Sequence, residues 1–223
     1  MLVIVGGGCY GCYHARQLLK AVRAGRLRGQ RLVVVDHSAA CAASREFADA
    51  PEVSVVEADW LAFLREWLAD GQAGSEDQVI PAPLAPHLLW EWLACELGAE
   101  QVPAPSGWRL PYEVAGRAGE RYLSAAGWTC PATCVEPAHC PALHAPRDWD
   151  LADVIEERAR DLGYRPAVFR CVHLAYGVGG VQARELLAAR EAADGRGGDG
   201  RVLVATSSRC HAAVGALRVG GRG

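Results

Sequence analysis

Short apolar runs alternate with amphipathic stretches along the first hundred residues. The runs at 2–5 and 32–35 are rich in β-branched residues, which is typical of strands buried on both faces of a parallel sheet. The stretch from Cys12 to Ala24 carries apolar residues at helical spacing and stops at Gly25. The same pattern predicts further strands at 53–57 and 78–82 and helices at 40–49, 60–68 and 84–97. Repeated strand–helix units of this kind predict an α/β fold with a parallel sheet and right-handed crossovers.

The pattern breaks between residues 103 and 150, where prolines, glycines and single tryptophans replace the periodic positions. A segment this long without periodicity needs something to organise it, and metal ligation is one candidate. Regularity then resumes with helices at 151–162 and 181–193, strands at 167–176 and 202–206, a glycine turn at 177–180 and a short helix after Cys210 and His211. We therefore predict three regions: 1–102, an irregular insertion at 103–150, and a C-terminal αβαβα extension at 151–223.

A glycine-rich loop, Gly6-Gly7-Gly8-Cys9-Tyr10-Gly11, connects the first predicted strand to the first helix. It matches the G-x-G-x-x-G pattern of dinucleotide-binding loops: Gly6 allows the tight turn, Gly8 allows the backbone to approach a pyrophosphate, and Gly11 allows close helix–strand packing. Asp36 ends the second strand, where a carboxylate binds the adenosine ribose and repels a 2′-phosphate, which favours NAD over NADP. The alternatives are a loop that binds no ligand, and S-adenosylmethionine, although its enzymes usually carry an acid where Val5 stands.

The segment from Leu2 to about Val102 resembles two known groups of nucleotide-binding domains. The motifs are VIVGGGCYG, VVVDHS, VVEAD and VIPAPLAPHLLWEWLACELG. They are similar to the TrkA-N or RCK domain of potassium-uptake regulators and to the NAD-dependent precorrin-2 dehydrogenase domain of sirohaem synthesis. Both resemblances imply a Rossmann-type fold with NAD bound at Gly6, Gly8, Gly11 and Asp36. Neither covers the cysteine-rich remainder of the chain.

A cysteine cluster, Cys130-x3-Cys134-x5-Cys140, lies in the irregular segment with His139 and His144 close by. Clustered thiols in a reducing compartment more often hold metal than form disulfides, and soft thiolates suit zinc or an iron–sulfur cluster. The spacing lacks the C-x2-C of most zinc sites, so both metals stay open, as do loose thiols in a proline-rich loop. The fourth ligand stays open too; the candidates are His139, His144, Cys171, Cys210 and an external group.

Four other sets of residues are weighed against ordinary structural roles. Cys9 and Cys12 form a Cys-x-x-Cys at a predicted helix start, but they occupy variable positions of the glycine loop, which favours small filler residues. Cys171 and His173 are expected on one face of one strand, and a glycine loop at 177–180 is expected to be a tight turn. His87 shares a predicted helix face with Glu91 and is our candidate for proton transfer, although a locally capped histidine is favoured over it.

Composition and charge limit the classes of partner. Mixed charges with a formal net charge of −3 argue against a nucleic-acid platform, and no apolar stretch approaches the ~18 residues of a membrane helix. The beginning of the sequence shows no signal-peptide pattern, so we expect a cytoplasmic protein without membrane insertion. Of the seven tryptophans, four fall on predicted helices and are expected to pack the core or a subunit interface, such as that of a homodimer: Trp60, Trp67, Trp90 and Trp92.

These features support three hypotheses of function. The leading one is an NAD-linked redox protein with a thiolate-ligated centre at Cys130, Cys134 and Cys140, which acts on a small-molecule substrate or redox partner. The second is a non-enzymatic NAD or redox sensor in which a zinc ion is structural. The third is a zinc-containing methyltransferase, which would bind S-adenosylmethionine rather than NAD.

Overall fold

The protein forms two compact units in a computed structural model, which describes residues 1–27, 29–69, 71, 73–81, 87–126, 134–194 and 200–220. The first unit contains Met1–Pro86, Ala132–Val135 and Val172–Glu185. The second unit contains His87–Pro131, Glu136–Cys171 and Leu186–Gly223. The α/β fold class predicted from the sequence is confirmed.

The elements follow one another along the chain in a mixed order of strands and helices. The first part contains β1 (Leu2–Val5), α1 (Cys9–Arg23), β2 (Leu32–Asp36), α2 (Ala42–Glu46), β3 (Val53–Glu57), α3 (Trp60–Ala69), β4 (Gln78–Ile80), α4 (Leu88–Leu97) and β5 (Glu100–Val102). The rest contains β6 (Tyr112–Ala115), β7 (Arg121–Ser124), β8 (His139–Cys140), β9 (Ala145–Pro146), α5 (Leu151–Asp161), β10 (Arg165–Arg170), β11 (Val172–Ala175), β12 (Val178–Gln182), α6 (Ala183–Asp194), β13 (Arg201–Ser207) and β14 (His211–Arg218).

The first unit is built on a sheet with the strand order β11-β12-β4-β1-β2-β3. Four strands run parallel, because β1 pairs in parallel with β2 and β4, and β2 pairs in parallel with β3. The hairpin of β11 and β12 then adds antiparallel to β4. The chain of the C-terminal half therefore completes a sheet that the N-terminal residues begin.

The core of the first unit lies between this sheet and its helices. Leu18 on α1, Leu2 and Ile4 on β1 and Val34 on β2 are almost fully buried and belong to one apolar cluster. Val178 of β12 lies in the same cluster with 1% exposure. Burial of β1 and β2 on both faces explains why they appear in the sequence as unbroken apolar runs.

The second unit is built on a sheet with the strand order β10-β13-β14-β7-β6, and β5 also pairs with β14. The strands β10 and β13 pair in parallel, and β14 pairs antiparallel with β13, β7 and β5. One face of the sheet buries Leu151 and Ile155 of α5 in an apolar cluster. Trp90 of α4 packs on Gly215 and donates a hydrogen bond from Nε1 to the Ala216 carbonyl at 3.1 Å.

Several sequence predictions about the C-terminal half are wrong. The single strand at 167–176 is two strands, β10 and β11, which belong to different sheets; the chain leaves one sheet at Cys171 and enters the other at Val172. The expectation that Cys171 and His173 share one strand face fails with it. The glycine turn at 177–180 lies mostly within β12, and the short helix after Cys210 is the strand β14. Pairing on both edges of β14 outweighs the weak strand preference of its alanines.

The division of the chain also differs from the predicted regions. The boundary after the N-terminal unit falls at residue 86 rather than at 102, because α4 and β5 belong to the second unit. The segment 103–150 is not wholly irregular, since it contributes β6 and β7 to the second sheet. Within the described part of the chain, no helix is both long and apolar enough to cross a membrane.

Candidate functional site

The glycine loop lies at the carboxyl end of β1, and two of its glycines are required by the backbone. Gly6 has φ of +83°, a left-handed conformation that favours glycine, and its N–H donates to the Val35 carbonyl at 2.8 Å. A Cβ on Gly11 would lie 1.7 Å from the Gly6 carbonyl oxygen, a distance no side chain can adopt. The first turn of α1 therefore packs directly on the loop, as the sequence pattern predicts for Gly11.

Gly7 is required for a reason that sequence analysis missed. A Cβ on Gly7 would lie 2.4 Å from the sulfur of Cys41, and the Gly7 carbonyl accepts a hydrogen bond from the Ala43 N–H at 3.0 Å. The segment that begins α2 is thus pressed against the glycine loop. Nothing in the local sequence marks this contact, because the two segments are more than thirty residues apart.

Gly8 differs from the other three glycines. It is the N-cap of α1 with φ of −81°, which any residue adopts, and an added Cβ would meet no atom within 4 Å. It is exposed, no side chain caps α1, and the first turn contains no acidic residue. The first N–H groups of a helix lack partners within the helix, so this end of α1 offers donors and a positive dipole end to an anion.

Asp36 lies beside the glycine loop, as predicted, and its carboxylate holds two segments together. Oδ2 accepts a hydrogen bond from the Gly7 N–H at 2.7 Å, and Oδ1 accepts one from the Ser38 N–H at 3.0 Å. Each carboxylate oxygen has two lone pairs, so each can accept one more hydrogen bond. The structure therefore brings Gly6, Gly8, Gly11 and Asp36 together at one edge of the sheet.

An aromatic pair completes this edge. The His37 ring stacks on Trp60 with 4.9 Å between ring centroids, and Trp60 lies 3.6 Å from the position of a Gly6 Cβ. Asp59 Oδ2 lies 3.9 Å from His37 Nδ1, and the buried Trp60 Nε1 has no hydrogen-bond partner among the described residues. The sequence predicts that Trp60 packs in the core or at an interface. Its position just after β3, at the same edge of the sheet as Asp36, is the signal that could have placed it near the glycine loop.

The predicted metal ligands are spread over the chain. Cys130 lies outside the described residues, and Cys134 is a half-buried residue of the first unit. Cys140, Cys171 and Cys210 belong to the second unit, where Cys140 and Cys210 are buried. Among the described residues, no three histidine, cysteine or acidic side chains form a group that could hold a metal ion. The zinc or iron–sulfur site therefore stays a prediction.

Cys140 ends β8, in a short hairpin with β9. Hydrogen bonding from the backbone of Leu143 and Ala142, together with the Arg147 guanidinium, holds the pKa of the Cys140 thiol below its ordinary value, although burial acts in the opposite direction. Arg147 is itself only 6% exposed. The hairpin thus favours the thiolate form, which is the form that ligates metals.

His87, our candidate for proton transfer, is the N-cap of α4 in the second unit. Its Nε2 lies 3.0 Å from Glu91 Oε1, as expected for residues four apart on a helix, and its buried Nδ1 has no hydrogen-bond partner among the described residues. Burial raises the pKa of Glu120, but hydrogen bonds from its own backbone, from Tyr122 and from Ala118, with the charge of His87, lower it below its ordinary value. His87 with Glu91 and Glu120 with Tyr122 are thus two acid–base pairs within the second unit.

Comparison with known proteins gives one match. Residues 85–220 match the model of the AF_1314_C family, which carries the description "Uncharacterized protein, C-terminal domain". No curated protein and no solved structure matches the chain. The family match spans most of the second unit and the β11–β12 hairpin, and it covers more than half of the 223 residues. The chain therefore belongs to the AF_1314_C family.

Proposed function

We propose that the first unit binds NAD at the carboxyl end of β1, through Gly6, Gly8, Gly11 and Asp36. The observation that carries the proposal is Gly8. Gly6, Gly7 and Gly11 are each explained by the protein's own geometry, whereas Gly8 has ordinary dihedral angles and open space where a side chain would stand. A glycine is required there if a ligand approaches the backbone closely, as a pyrophosphate does at this position of the pattern.

The position of the loop in the sheet supports the proposal. The connection from β1 leads to β2 on one side, and β4 lies on the other side of β1. Ligands of open α/β sheets bind at such a switch point, beyond the carboxyl ends of the strands. The parallel order β3-β2-β1-β4 also matches the first strands of dinucleotide-binding sheets, although antiparallel β12 then replaces the parallel strands that continue those sheets.

Asp36 supports NAD over its 2′-phosphorylated form. Its oxygens are held by Gly7 and Ser38 and retain lone pairs for ribose hydroxyls, while its charge repels a phosphate. Asp59, in the segment after β3, adds a second negative charge at the same edge. Bound NAD would supply a hydride acceptor or donor; the residues of this chain bind its phosphates and ribose and set its orientation.

Calorimetric titration of the full chain with NAD, NADP and S-adenosylmethionine tests the proposal. We expect NAD to bind at least about tenfold more tightly than NADP, since the loss of one charge repulsion is worth about 1.4 kcal/mol or more. Tighter binding of S-adenosylmethionine would favour the methyltransferase hypothesis, and no binding of any of the three would overturn the proposal.

Gly8→Ser is the sharpest variant for this site. Serine is a better helix N-cap than alanine and has room for its side chain, so the variant keeps the fold while its side chain obstructs a pyrophosphate. We expect NAD affinity to fall by at least about tenfold. Gly220→Ser, at another exposed glycine with nothing within 4 Å, is the matched control and should leave the affinity unchanged.

A further inference from the structure

We infer that Cys9 and Cys12 form a redox-active dithiol that exchanges with small disulfides, an activity separate from nucleotide binding. The two residues are the first and fourth of α1. Cys9 is exposed and Cys12 is only 2% exposed, so one thiol faces solvent and the other, about one turn further along, packs in the apolar core of the first unit. This arrangement differs from that of two filler residues, which the sequence favours, because only one of the pair is buried.

The spacing of the pair fits a disulfide. Residues three apart on a helix lie on neighbouring positions of its surface, about 5–6 Å apart between Cβ atoms. A disulfide needs Cα atoms about 4.4–6.8 Å apart and Cβ atoms about 4 Å apart, so the bond forms with a small adjustment of the first helical turn.

The buried thiol of Cys12 stays protonated at neutral pH. Burial raises the pKa of Cys12 to about 11, and the nearby Glu46 carboxylate raises it further. The thiol donates a hydrogen bond to the Gly7 carbonyl, with 3.6 Å between the sulfur and the oxygen. Arg16 pairs with Glu46 and keeps the pKa of that carboxyl below its ordinary value, so Glu46 is too weak a base for this thiol. The proton of Cys12 is therefore taken up by the thiolate that Cys12 displaces.

The exchange proceeds in two balanced steps. The Cys9 thiolate attacks one sulfur of a small disulfide such as oxidised glutathione; a mixed disulfide forms at Cys9 and the first glutathione thiolate leaves. Cys12 then attacks the Cys9 sulfur, the bond from Cys9 to glutathione breaks, and the second glutathione leaves as a thiolate that takes up the Cys12 proton. The first glutathione thiolate takes up from water the proton that Cys9 released on ionisation. The protein dithiol loses two electrons, and the small disulfide is reduced to two thiols.

Cys41 is the competing partner. Its sulfur lies against Gly7, and its charge when ionised contributes to the raised pKa of Cys12, so it is close to the same loop. A bond between Cys12 and Cys41 would join α1 to the segment before α2. The experiment must therefore identify the partners rather than count thiols.

Tryptic peptide mapping identifies the partners directly, because trypsin places Cys41 on a different peptide from Cys9 and Cys12. Residues 1–16 form one tryptic peptide that contains Cys9 and Cys12, and residues 32–45 form another that contains Cys41. The full chain is incubated with oxidised glutathione, free thiols are blocked with iodoacetamide, and the peptides are weighed. We expect peptide 1–16 to lose two hydrogen atoms and to gain no blocking group. A crosslink between the two peptides, a lasting mixed disulfide at Cys9, or unchanged thiols would each overturn the proposal.

Variants separate the two steps. Cys12→Ser should stop the reaction at the mixed disulfide on Cys9, because the thiol that resolves it is gone. Cys95 is the matched control, since it is exposed on α4 with no second cysteine on that helix. Cys95→Ser should leave ring closure in peptide 1–16 unchanged. A free thiol rather than a mixed disulfide at Cys9 in Cys12→Ser would show that Cys9 is not the attacking residue.

Discussion

At the scale of single residues, the glycine-rich loop contains glycines that stand there for different physical reasons. Gly11 and Gly7 exclude a side chain by contact, Gly6 by its backbone conformation, and Gly8 by neither. A pattern match treats all of them alike. The structure separates the glycines that the fold needs from Gly8, which the fold does not need, and substitutions can test that separation.

Gly11→Ala should destabilise the protein far more than Gly8→Ser. The new methyl group of the first variant would overlap the Gly6 carbonyl oxygen, a backbone atom that cannot move alone, at a cost of about 3 kcal/mol. The second variant places its side chain in open space and can cap α1, so its free energy of unfolding should change by about 0.5 kcal/mol or less. Urea unfolding measures both, and equal losses would contradict the assignment of the two glycines.

His14 on α1 should make the protein less stable in mild acid. Burial lowers its pKa below the ordinary value of 6.5, and its Nδ1 has no hydrogen-bond partner among the described residues. The unfolded chain takes up a proton below about pH 6.5 and the folded chain does not, so stability is lost as the pH falls through the unfolded value. Between about pH 7.5 and pH 5, His14→Leu should lose about 1 kcal/mol less free energy of unfolding than the native protein. Parallel pH profiles of the two proteins would refute this.

At the scale of elements, the sequence predicts best where local preference and burial agree. The strands β1 and β2 are β-branched runs buried in a parallel sheet, and β3 is a half-buried strand at the edge of that sheet; the predicted bounds of all three are those of the structure to within a residue. The sequence predicts a short helix where the structure has the strand β14; pairing with three other strands, set by distant residues, decides its conformation. The exit from β10 at Cys171 has no glycine or proline to mark it.

The candidate site was likewise predictable only for the residues that lie at the ends of predicted strands. Gly6, Gly8, Gly11 and Asp36 are close in sequence to strand ends, and their proximity follows from the parallel sheet alone. The contacts of Cys41 with Gly7 and of Trp60 with Gly6 depend on the exact packing of the loops after β2 and β3. Loops that lack periodicity carry no such information in a single sequence, which is why these residues were missed.

The packing of α4 on β14 depends on a glycine in the strand. A Cβ on Gly215 would lie 2.4 Å from the Trp90 ring, so Gly215→Ala should destabilise the protein by about 2 kcal/mol. In a Trp90→Leu background the obstructing ring is gone, and the same substitution should cost less than about 1 kcal/mol. Gly220→Ala, with nothing within 4 Å, is the control and should be neutral. Equal costs of Gly215→Ala in both backgrounds would show that the ring is not the obstacle.

At the scale of the whole molecule, the chain order and the two units do not coincide. The N-terminal residues form four parallel strands, but the strands β11 and β12 that complete their sheet come from residues 172–182. Conversely, α4 and β5 precede residue 103 and yet belong to the second unit. A boundary at residue 102, placed by strand–helix periodicity, therefore removes β11 and β12 from the first unit. It also adds to that unit α4 and β5, which belong to the second.

A fragment of residues 1–102 should therefore fail to fold, although the sequence suggests a complete nucleotide-binding domain. It lacks β12, the antiparallel partner of β4, and the buried Val178, and it exposes the apolar residues of α4 that pack in the second unit. A fragment of residues 1–81 joined through a flexible linker to 172–182 keeps every strand of the first sheet. We expect the first fragment to aggregate or to lack a cooperative thermal transition by circular dichroism, because β4 is left as an unpaired edge. The second should show such a transition, and it should bind NAD if the proposed site is correct. A cooperative transition in the 1–102 fragment alone would mean that the hairpin of β11 and β12 is dispensable for the first unit.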